Sequence, residues 1–276
     1  MSFRTILVHM DVNERGQRNL AAAVSLAESY DTHISGLYVK PPTSLPSYAS
    51  VHVPPEVFEM IERDQEKLAD QAEGQFNEIL TKAGREGRSD WQYASGPIAE
   101  TIARIGRCSD LLVIGQENED VDNAAYSEVP DDVVISAGRP VLIVPYTGID
   151  KTLGDRILIA WDHSRESARA VADALPFLKR ASVVSVVSVD PRQEEGDIPG
   201  ADIARYLSEH NIKATVTRFT DKALAVDDVL LNQAADSGAD MMVMGAYGHS
   251  RLREMVLGGV TRHILDHMTV PVLMSH

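Results

Sequence analysis

The stretch RILIAWD at residues 156–162 repeats the stretch TILVHMD at residues 5–11, at an offset of 151 residues. Each is a short apolar run that ends in an aspartate. Two further pairs follow in the same order, at offsets of 130 and 131: DLLVIG (110–115) with DMMVMG (240–245), and PVLIV (140–144) with PVLMS (271–275). Self-similarity in a fixed order indicates two copies of one structural unit.

Turn-forming residues cluster between the two copies, in YTGIDKTLGD at residues 146–155. We therefore predict an N-terminal domain over residues 1–148 and a C-terminal domain over residues 153–276. The fall in offset from 151 to 130 means that the first copy holds about twenty additional residues. We assign them to a long helical run over residues 54–82, which replaces a shorter helix expected at residues 201–210.

The apolar runs of the second copy are nearly continuous, and helical stretches lie between them. They predict strands at residues 157–161, 183–189, 214–219, 241–244 and 270–274. Continuous apolar strands are typical of a parallel sheet that is buried on both faces. We predict two tandem doubly wound α/β domains, each a five-stranded parallel sheet flanked by helices. In such domains, ligands bind at the carboxyl ends of the strands.

The composition excludes several classes of function. The chain has 276 residues and a formal net charge of −15, so the phosphate backbone of a nucleic acid and an acidic membrane surface would both be repelled. No apolar run is long enough to span a membrane, and no signal peptide is recognised, so we expect a cytoplasmic protein. Cys108 is the only cysteine, which excludes an intramolecular disulfide, and we expect it to be buried or half-buried.

A glycine-rich segment, MGAYGHSRLREMVLGGVT, occupies residues 244–261. Gly245 ends a predicted strand, and Gly258 and Gly259 precede a predicted helix. Glycines let backbone N–H groups approach an anion closely, and a helix N-terminus adds unpaired donors. The cationic side chains between these glycines are His249, Arg251 and Arg253. Spacing alone supports a phosphate loop and an ordinary turn equally, because neither GxGxxG nor GxxxxGK[ST] occurs.

The spacing of these glycines resembles the G-x2-G-x9-G-[ST] signature with which universal stress proteins bind ATP. Gly245, Gly248 and Gly258 match it, and WDHS at residues 161–164, the closing VPVLM and the strand pattern of both halves are also similar to that family. The resemblance covers almost the whole chain, as a tandem member with two domains. It implies that Asp162 lies beside the adenine and ribose, that a backbone group of Val189 also holds the adenine, and that the glycine segment binds the phosphates.

The chain departs from the family signature at Gly259, where the family has a serine or threonine. The missing hydroxyl removes one hydrogen bond to a charged oxygen, worth about 1.5–3 kcal/mol. We therefore expect ATP, with or without Mg²⁺, to bind about tenfold to a hundredfold more weakly than with the hydroxyl. Thr261, two residues further on, could compensate for the hydroxyl, or could only cap or pack.

The first copy lacks the glycine signature. Gly115 is followed by an acidic segment without a second glycine of the motif, in which four carboxylates occur in six residues: Glu117, Glu119, Asp120 and Asp122. Like charges would repel a triphosphate there, so we predict that the first domain does not bind ATP in the family manner. The segment is interpreted as a solvated surface loop; a divalent cation is the alternative, although the spacing matches no calcium loop.

Other candidate sites are weaker. His263 and His267 have the i, i+4 spacing of a zinc-binding pair, but no third ligand is evident, and we interpret them as half-exposed helix residues. His9 and Asp11 end the first strand, and we interpret them as structural or vestigial. No metal site and no catalytic residues are predicted.

The leading hypothesis is a stress-response protein that binds an adenine nucleotide in its C-terminal domain and acts as a binder or sensor. Fast turnover is not expected, because the segment lacks the lysine and Mg²⁺ ligands of a P-loop ATPase. The alternatives are a nucleotide-independent protein-interaction module, with a partner that the sequence does not identify, and a slow ATPase.

The family also bears on assembly. Its single-domain members commonly pair through their last strands, so PVLIVP and PVLMS could pair within this chain as an intramolecular pseudo-dimer. A homodimer through the remaining surfaces is a further expectation.

Overall fold

A computed structural model describes residues 2–42, 54–117, 129–149, 153–189, 200–219, 225–248 and 259–276. Within these residues, the N-terminal half alternates strands with helices. Its elements are β1 (Thr5–Met10), α1 (Glu14–Tyr30), β2 (His33–Lys40), α2 (Pro55–Lys82), β3 (Ser89–Ser95), α3 (Ile98–Gly106), β4 (Leu111–Gly115), α4 (Val129–Ala137) and β5 (Val141–Val144).

The C-terminal half repeats this alternation. Its elements are β6 (Arg156–Trp161), α5 (Arg165–Leu178), β7 (Val183–Val189), α6 (Ala201–Glu209), β8 (Ala214–Phe219), α7 (Val226–Ser237), β9 (Met241–Gly245), α8 (Val260–His267) and β10 (Val272–Ser275). Helix α2 has 28 residues and its counterpart α6 has nine, which accounts for the change of offset between the two copies.

The ten strands form one continuous sheet in the order β3-β2-β1-β4-β5-β10-β9-β6-β7-β8. Within each half, all neighbouring strands are parallel, which confirms the predicted five-stranded parallel sheets. The halves meet where β5 and β10 pair antiparallel, with Leu142 opposite Leu273. Backbone hydrogen bonds therefore run unbroken from one half into the other.

Helices cover both faces of the sheet, so it has two apolar cores. One core is packed by α1, α2, α5 and α6, and the other by α3, α4, α7 and α8. Strand β4 is buried at every position, as expected for a central parallel strand. The edge strand β8 instead alternates half-buried with exposed residues, because only one of its sides has a neighbouring strand. The expectation of a nearly continuous buried strand is therefore wrong for β8.

Cys108 differs from its predicted environment. It lies just after α3 and is exposed, because the chain turns at the surface there before it enters β4. Among the described residues, no helix combines the length and the apolar character needed to cross a bilayer.

Candidate functional site

The carboxyl ends of β6 and β9 are adjacent in the sheet, where the strand order changes direction. Such a switch point is the usual ligand site of a doubly wound sheet. Asp162 follows β6 and Gly245 ends β9, so the fold brings these two predicted site residues to the same edge.

Gly245 allows the first turn of α5 to approach β9 closely. A Cβ atom at this position would lie 2.4 Å from the backbone nitrogen of Ser167 and 2.5 Å from the carbonyl carbon of Glu166. Backbone atoms cannot move aside as a flexible side chain can, so a larger residue would displace the helix N-terminus.

The Asp162 carboxylate also organises the turn into α5. Its Oδ1 accepts hydrogen bonds from the backbone N–H and the hydroxyl of Ser164, at 3.0 and 2.6 Å. The Ser164 hydroxyl oxygen in turn accepts the N–H of Ser167 at 3.0 Å and so caps the helix. The carboxylate that the family resemblance places beside the ribose is therefore held in place by the turn.

Two buried polar groups lie at the carboxyl ends of β6 and β7. Ser188 is fully buried and is the register partner of Trp161. Neither the Ser188 hydroxyl nor the Trp161 indole N–H has a hydrogen-bond partner among the described residues. Buried polar groups are normally paired, and leaving one unpaired costs about 1–3 kcal/mol. This pair is the arrangement expected where a polar ligand or water completes the site.

His163 and Asp202 border this polar pair. The His163 ring lies 5.4 Å from the Trp161 ring, and its Nδ1 lies 3.3 Å from Asp202 Oδ2 on α6. His163 has a φ of 62°, in the left-handed region that non-glycine residues seldom adopt. This contact links the turn after β6 to α6. Val189, the predicted adenine neighbour, is the last residue of β7, one position after Ser188.

Tyr247 is held in the left-handed region at the start of the glycine segment. Its φ is 57°, a conformation that costs a non-glycine residue about 1–3 kcal/mol. Its backbone N–H donates to the Thr261 hydroxyl oxygen at 3.4 Å, and its own hydroxyl donates to Asp131 of α4. Thr261 is buried, so this residue connects the beginning of the glycine segment with the helix after it.

Helix α8 begins after Gly259, which has no side chain to cap it. Its first-turn N–H groups therefore receive no hydrogen bond from the capping residue, an arrangement that suits an anion. The predicted site residues His249, Arg251, Arg253 and Gly258 lie outside the described residues.

Glu166 is a site residue that the sequence reasoning missed. It is buried, its carboxylate pairs with the Arg165 guanidinium, and its Oε2 would lie 3.0 Å from a Cβ on Gly248. Burial raises the pKa of Glu166 and is the largest single influence. The hydrogen bonds from Arg165 and from the Glu166 backbone, with the charges of Arg165 and His276, together outweigh it, so the net pKa lies below its ordinary value. The carboxylate is therefore ionised at neutral pH. The 151-residue offset aligns Glu166 with Arg15, and this comparison could have drawn attention to it.

Arg15 occupies the equivalent region of the N-terminal half. Its Nε lies 2.8 Å from the Asp11 carboxylate, which also accepts the N–H groups of Asn13 and Gly16 at 3.0 Å. The Arg15 stem lies so close to Gly115 that a Cβ there would be 2.3 Å from Arg15 Cγ. The counterpart of the site beside Asp162 is thus filled by the protein's own ion pair.

Tyr38 fills the N-terminal counterpart of the Ser188 position. Tyr38 pairs with Met10, which is 151 residues before Trp161, the register partner of Ser188. The Tyr38 ring stacks on Tyr93 and packs beneath α2. Nearby His9 is also buried, and the loss of hydration lowers its pKa to about 4. An aromatic residue beneath a long helix therefore occupies the place that a buried serine and a short helix occupy in the other half.

His263 and His267 stack on each other, with ring centroids 4.1 Å apart. His263 Nδ1 lies 3.5 Å from an Asp227 carboxylate oxygen, and His267 Nδ1 lies 3.0 Å from the backbone oxygen of His263. No group of three or more metal-ligating side chains occurs in the described part of the chain.

Comparison with known proteins agrees with the fold and the repeat. The model of the universal stress protein family matches residues 2–145 and 154–276. The universal stress protein Slr1230 of Synechocystis sp. PCC 6803 is 23% identical over 190 residues, which span 66% of this chain and 63% of that protein.

Two solved structures share the fold over nearly the full chain. A universal stress protein from Archaeoglobus fulgidus DSM 4304 has a TM-score of 0.74 at 18% identity, covering 98% of this chain and 97% of that one. A functionally unknown protein, PA1789, from Pseudomonas aeruginosa PAO1 has a TM-score of 0.62 at 16% identity, with coverages of 99% and 92%. With two consecutive matches to the family model that together span most of its length, the chain belongs to the universal stress protein family.

Proposed function

We propose that the C-terminal half binds one adenine nucleotide of the ATP type and that the protein acts as a binder or sensor. The observation that carries the proposal is that two buried polar atoms, Trp161 Nε1 and Ser188 Oγ, have no hydrogen-bond partner among the described residues. Trp161 directly precedes Asp162, and Ser188 directly precedes Val189. Adenine carries both donors and acceptors that can satisfy such groups. In this proposal the Asp162 carboxylate accepts from a ribose hydroxyl, and the uncapped start of α8 holds a phosphate.

The expected stoichiometry is one nucleotide per chain. In the N-terminal half, Arg15 bonds to Asp11 and packs against Gly115, while Tyr38 fills the position that corresponds to Ser188. A nucleotide would have to displace a partly buried ion pair and an aromatic side chain there, and both displacements are costly.

Glu166 bears on the form of the nucleotide. Its ionised carboxylate, close to Gly248, repels an uncompensated triphosphate. We therefore expect Mg²⁺ to strengthen ATP binding by neutralising phosphate charge. Comparing ATP titrations in Mg²⁺ and in a chelator measures this contribution.

The test is calorimetric titration of nucleotide-free protein with Mg·ATP, comparing wild type with Ser188→Ala. Removing an unpaired hydroxyl should leave the free energy of unfolding unchanged or slightly improved, but weaken ATP about fivefold to twentyfold. Ser185→Ala is the matched control, since Ser185 lies three residues earlier on the same strand, away from the carboxyl end. No saturable binding by wild type at millimolar nucleotide would refute the proposal.

A nucleotide-independent protein-interaction module is the second candidate. Gly259 at the position of the family hydroxyl, and the Glu166 carboxylate beside Gly248, both favour it. Gly248→Asp separates the two functions, because it should abolish ATP binding under the first and leave partner capture unchanged under the second. Slow hydrolysis is tested separately, by phosphate release that disappears in Asp162→Ala.

We further propose that the paired halves form an intramolecular pseudo-dimer. The antiparallel pairing of β5 with β10 supports this interpretation. A homodimer would then have to use another surface, and light scattering of the intact chain tests for one.

A further inference from the structure

A side-chain contact joins the N-terminal half to the start of the glycine segment in the C-terminal half. The Tyr247 hydroxyl donates to Asp131 Oδ1, in the first turn of α4, which lies 116 residues earlier in the chain. The Tyr247 ring packs against the core that α4 and α8 share. The contact therefore joins α4 to the residue that directly precedes Gly248.

Two hydrogen bonds hold Tyr247 in a strained backbone conformation. Its backbone has a φ of 57°, its N–H donates to Thr261, and its hydroxyl donates to Asp131. A left-handed non-glycine residue persists only where its surroundings hold it. The hydrogen bond to Thr261 lies within the C-terminal half, and the hydrogen bond to Asp131 comes from α4. The conformation in which the chain leaves β9 and enters the glycine segment thus depends on both halves.

The first copy has a different residue at this position. The 130-residue offset places Glu117 at the position of Tyr247, so the first copy has no aromatic hydroxyl there. The hydroxyl of Tyr247 is therefore specific to the half that retains the glycine signature.

We propose that Tyr247 and Asp131 are positioning residues for the phosphates of the bound nucleotide, so that the N-terminal half sets the phosphate affinity of the C-terminal site. This inference rests on the proposed function. The hydroxyl tether holds residue 247 in the left-handed conformation. Because the Tyr247 N–H bonds to Thr261, this conformation sets how Gly248 lies relative to the start of α8. Adenosine has no phosphates, so its binding should not depend on the tether.

The experiment measures ATP, ADP and adenosine affinities of the full chain by calorimetry. Tyr247→Phe removes only the hydroxyl, and Asp131→Ala removes its acceptor. Each should weaken ATP and ADP about fivefold to twentyfold while leaving adenosine unchanged. The double variant should be no weaker than either single variant, because both remove the same bond.

Two further variants separate the tether from other effects. Asp131→Asn keeps an acceptor oxygen but removes the charge, so it should retain ATP affinity within about threefold. Tyr30→Phe is the matched control, because the Tyr30 hydroxyl also bonds across the two halves, to the Pro176 carbonyl oxygen at 3.2 Å, on the other face of the sheet. It should alter no nucleotide affinity.

Unchanged ATP affinity in Tyr247→Phe, with normal binding by wild type, would overturn this inference and leave the proposed function intact. An equal loss of ATP and adenosine would also overturn it, since it would indicate a general structural effect. Absence of ATP binding in wild type would overturn both.

Discussion

Arg15 and Glu166 occupy the same position of the two repeats and carry opposite charges. Arg15 forms an ion pair with Asp11 and packs against Gly115, whereas Glu166 pairs with Arg165 and lies beside Gly248. One residue in the first turn of a helix thus makes the carboxyl ends of the strands chemically different in the two halves.

Gly245 should tolerate no side chain. Gly245→Ala brings a Cβ to 2.4 Å from backbone nitrogen, so we expect a loss of about 1–3 kcal/mol in the free energy of unfolding, measured by urea denaturation. Gly74→Ala is the control, because nothing lies within 4 Å of its Cβ and it sits within α2. That change should stabilise the protein by about 0.5–1 kcal/mol. Equal effects of the two changes would contradict this account of Gly245.

His9 should make the protein sensitive to acid. Burial lowers its pKa in the folded state to about 4, from 6.5, so the unfolded chain binds more protons between these values. Its stabilising contribution is complete above pH 6.5 and is lost as the pH falls towards 4. Between pH 7 and pH 5 the loss is about 2 kcal/mol. Urea midpoints of wild type and His9→Gln measure it, and a variant that lost as much stability as wild type over this range would disprove the assignment.

At the scale of elements, Gln116 connects β4 to α8 of the other half. Its side-chain N–H groups donate to the carbonyl oxygens of Leu265 and Asp266, at 2.7 and 3.1 Å, and its Oε1 accepts the N–H of Tyr146 at 2.9 Å. The last carbonyls of a helix lack partners within it, so this buried amide completes the end of α8. The helix that begins at the candidate phosphate site therefore ends on the N-terminal half.

Gln116→Ala should cost about 1–3 kcal/mol in the free energy of unfolding, because it leaves these backbone groups without their partner. Chemical denaturation measures the loss. Gln92→Ala is the control at the sheet edge. Gln92 is half-buried on the edge strand β3 and its amide donates to the exposed side chain of Asp90, so the change should alter stability by less than about 0.5 kcal/mol. A Gln116 variant as stable as the control would show that water replaces the amide without cost.

At the scale of the whole molecule, the two halves share one sheet and both helical layers. β5 and β10 pair in the centre, and an aromatic group joins the halves on one face, with Phe3 and Phe177 ring centroids 4.9 Å apart and Tyr30 and Phe177 centroids 5.6 Å apart. We expect the halves to unfold as one cooperative unit, because separation would expose both the strand edges and this apolar surface.

The two tryptophans, one in each half, test this cooperativity. Trp91→Phe leaves Trp161 to report on the C-terminal half, and Trp161→Phe leaves Trp91 to report on the N-terminal half. In each variant, the urea midpoint from fluorescence should coincide with the midpoint from far-ultraviolet circular dichroism. Two separated transitions, with one half unfolding first, would show that the shared sheet does not couple them.

Much of this architecture is readable in the sequence because it depends on neighbouring residues. Apolar runs predicted the parallel strands, and the repeated Asp11 and Asp162 predicted two copies with equivalent strand ends. The glycine spacing after β9 identified the candidate phosphate segment. The expected pairing of the last strands came from the family resemblance, since no residue in PVLIV or PVLMS specifies its partner.

The glycine signature already distinguishes the two halves in the sequence, but only the tertiary structure shows which side chains occupy the carboxyl ends of their strands. The Arg15 ion pair and the Tyr38 side chain fill one edge, whereas Ser188 and Trp161 leave unpaired polar groups at the other. The Tyr247–Asp131 contact joins residues 116 positions apart. Strand and helix periodicity arises from local backbone geometry, so it can be recognised within a short window of sequence. Which side chain occupies a cavity, or bonds across two docked halves, depends on packing between distant segments, and it is decided only when the whole sheet has formed.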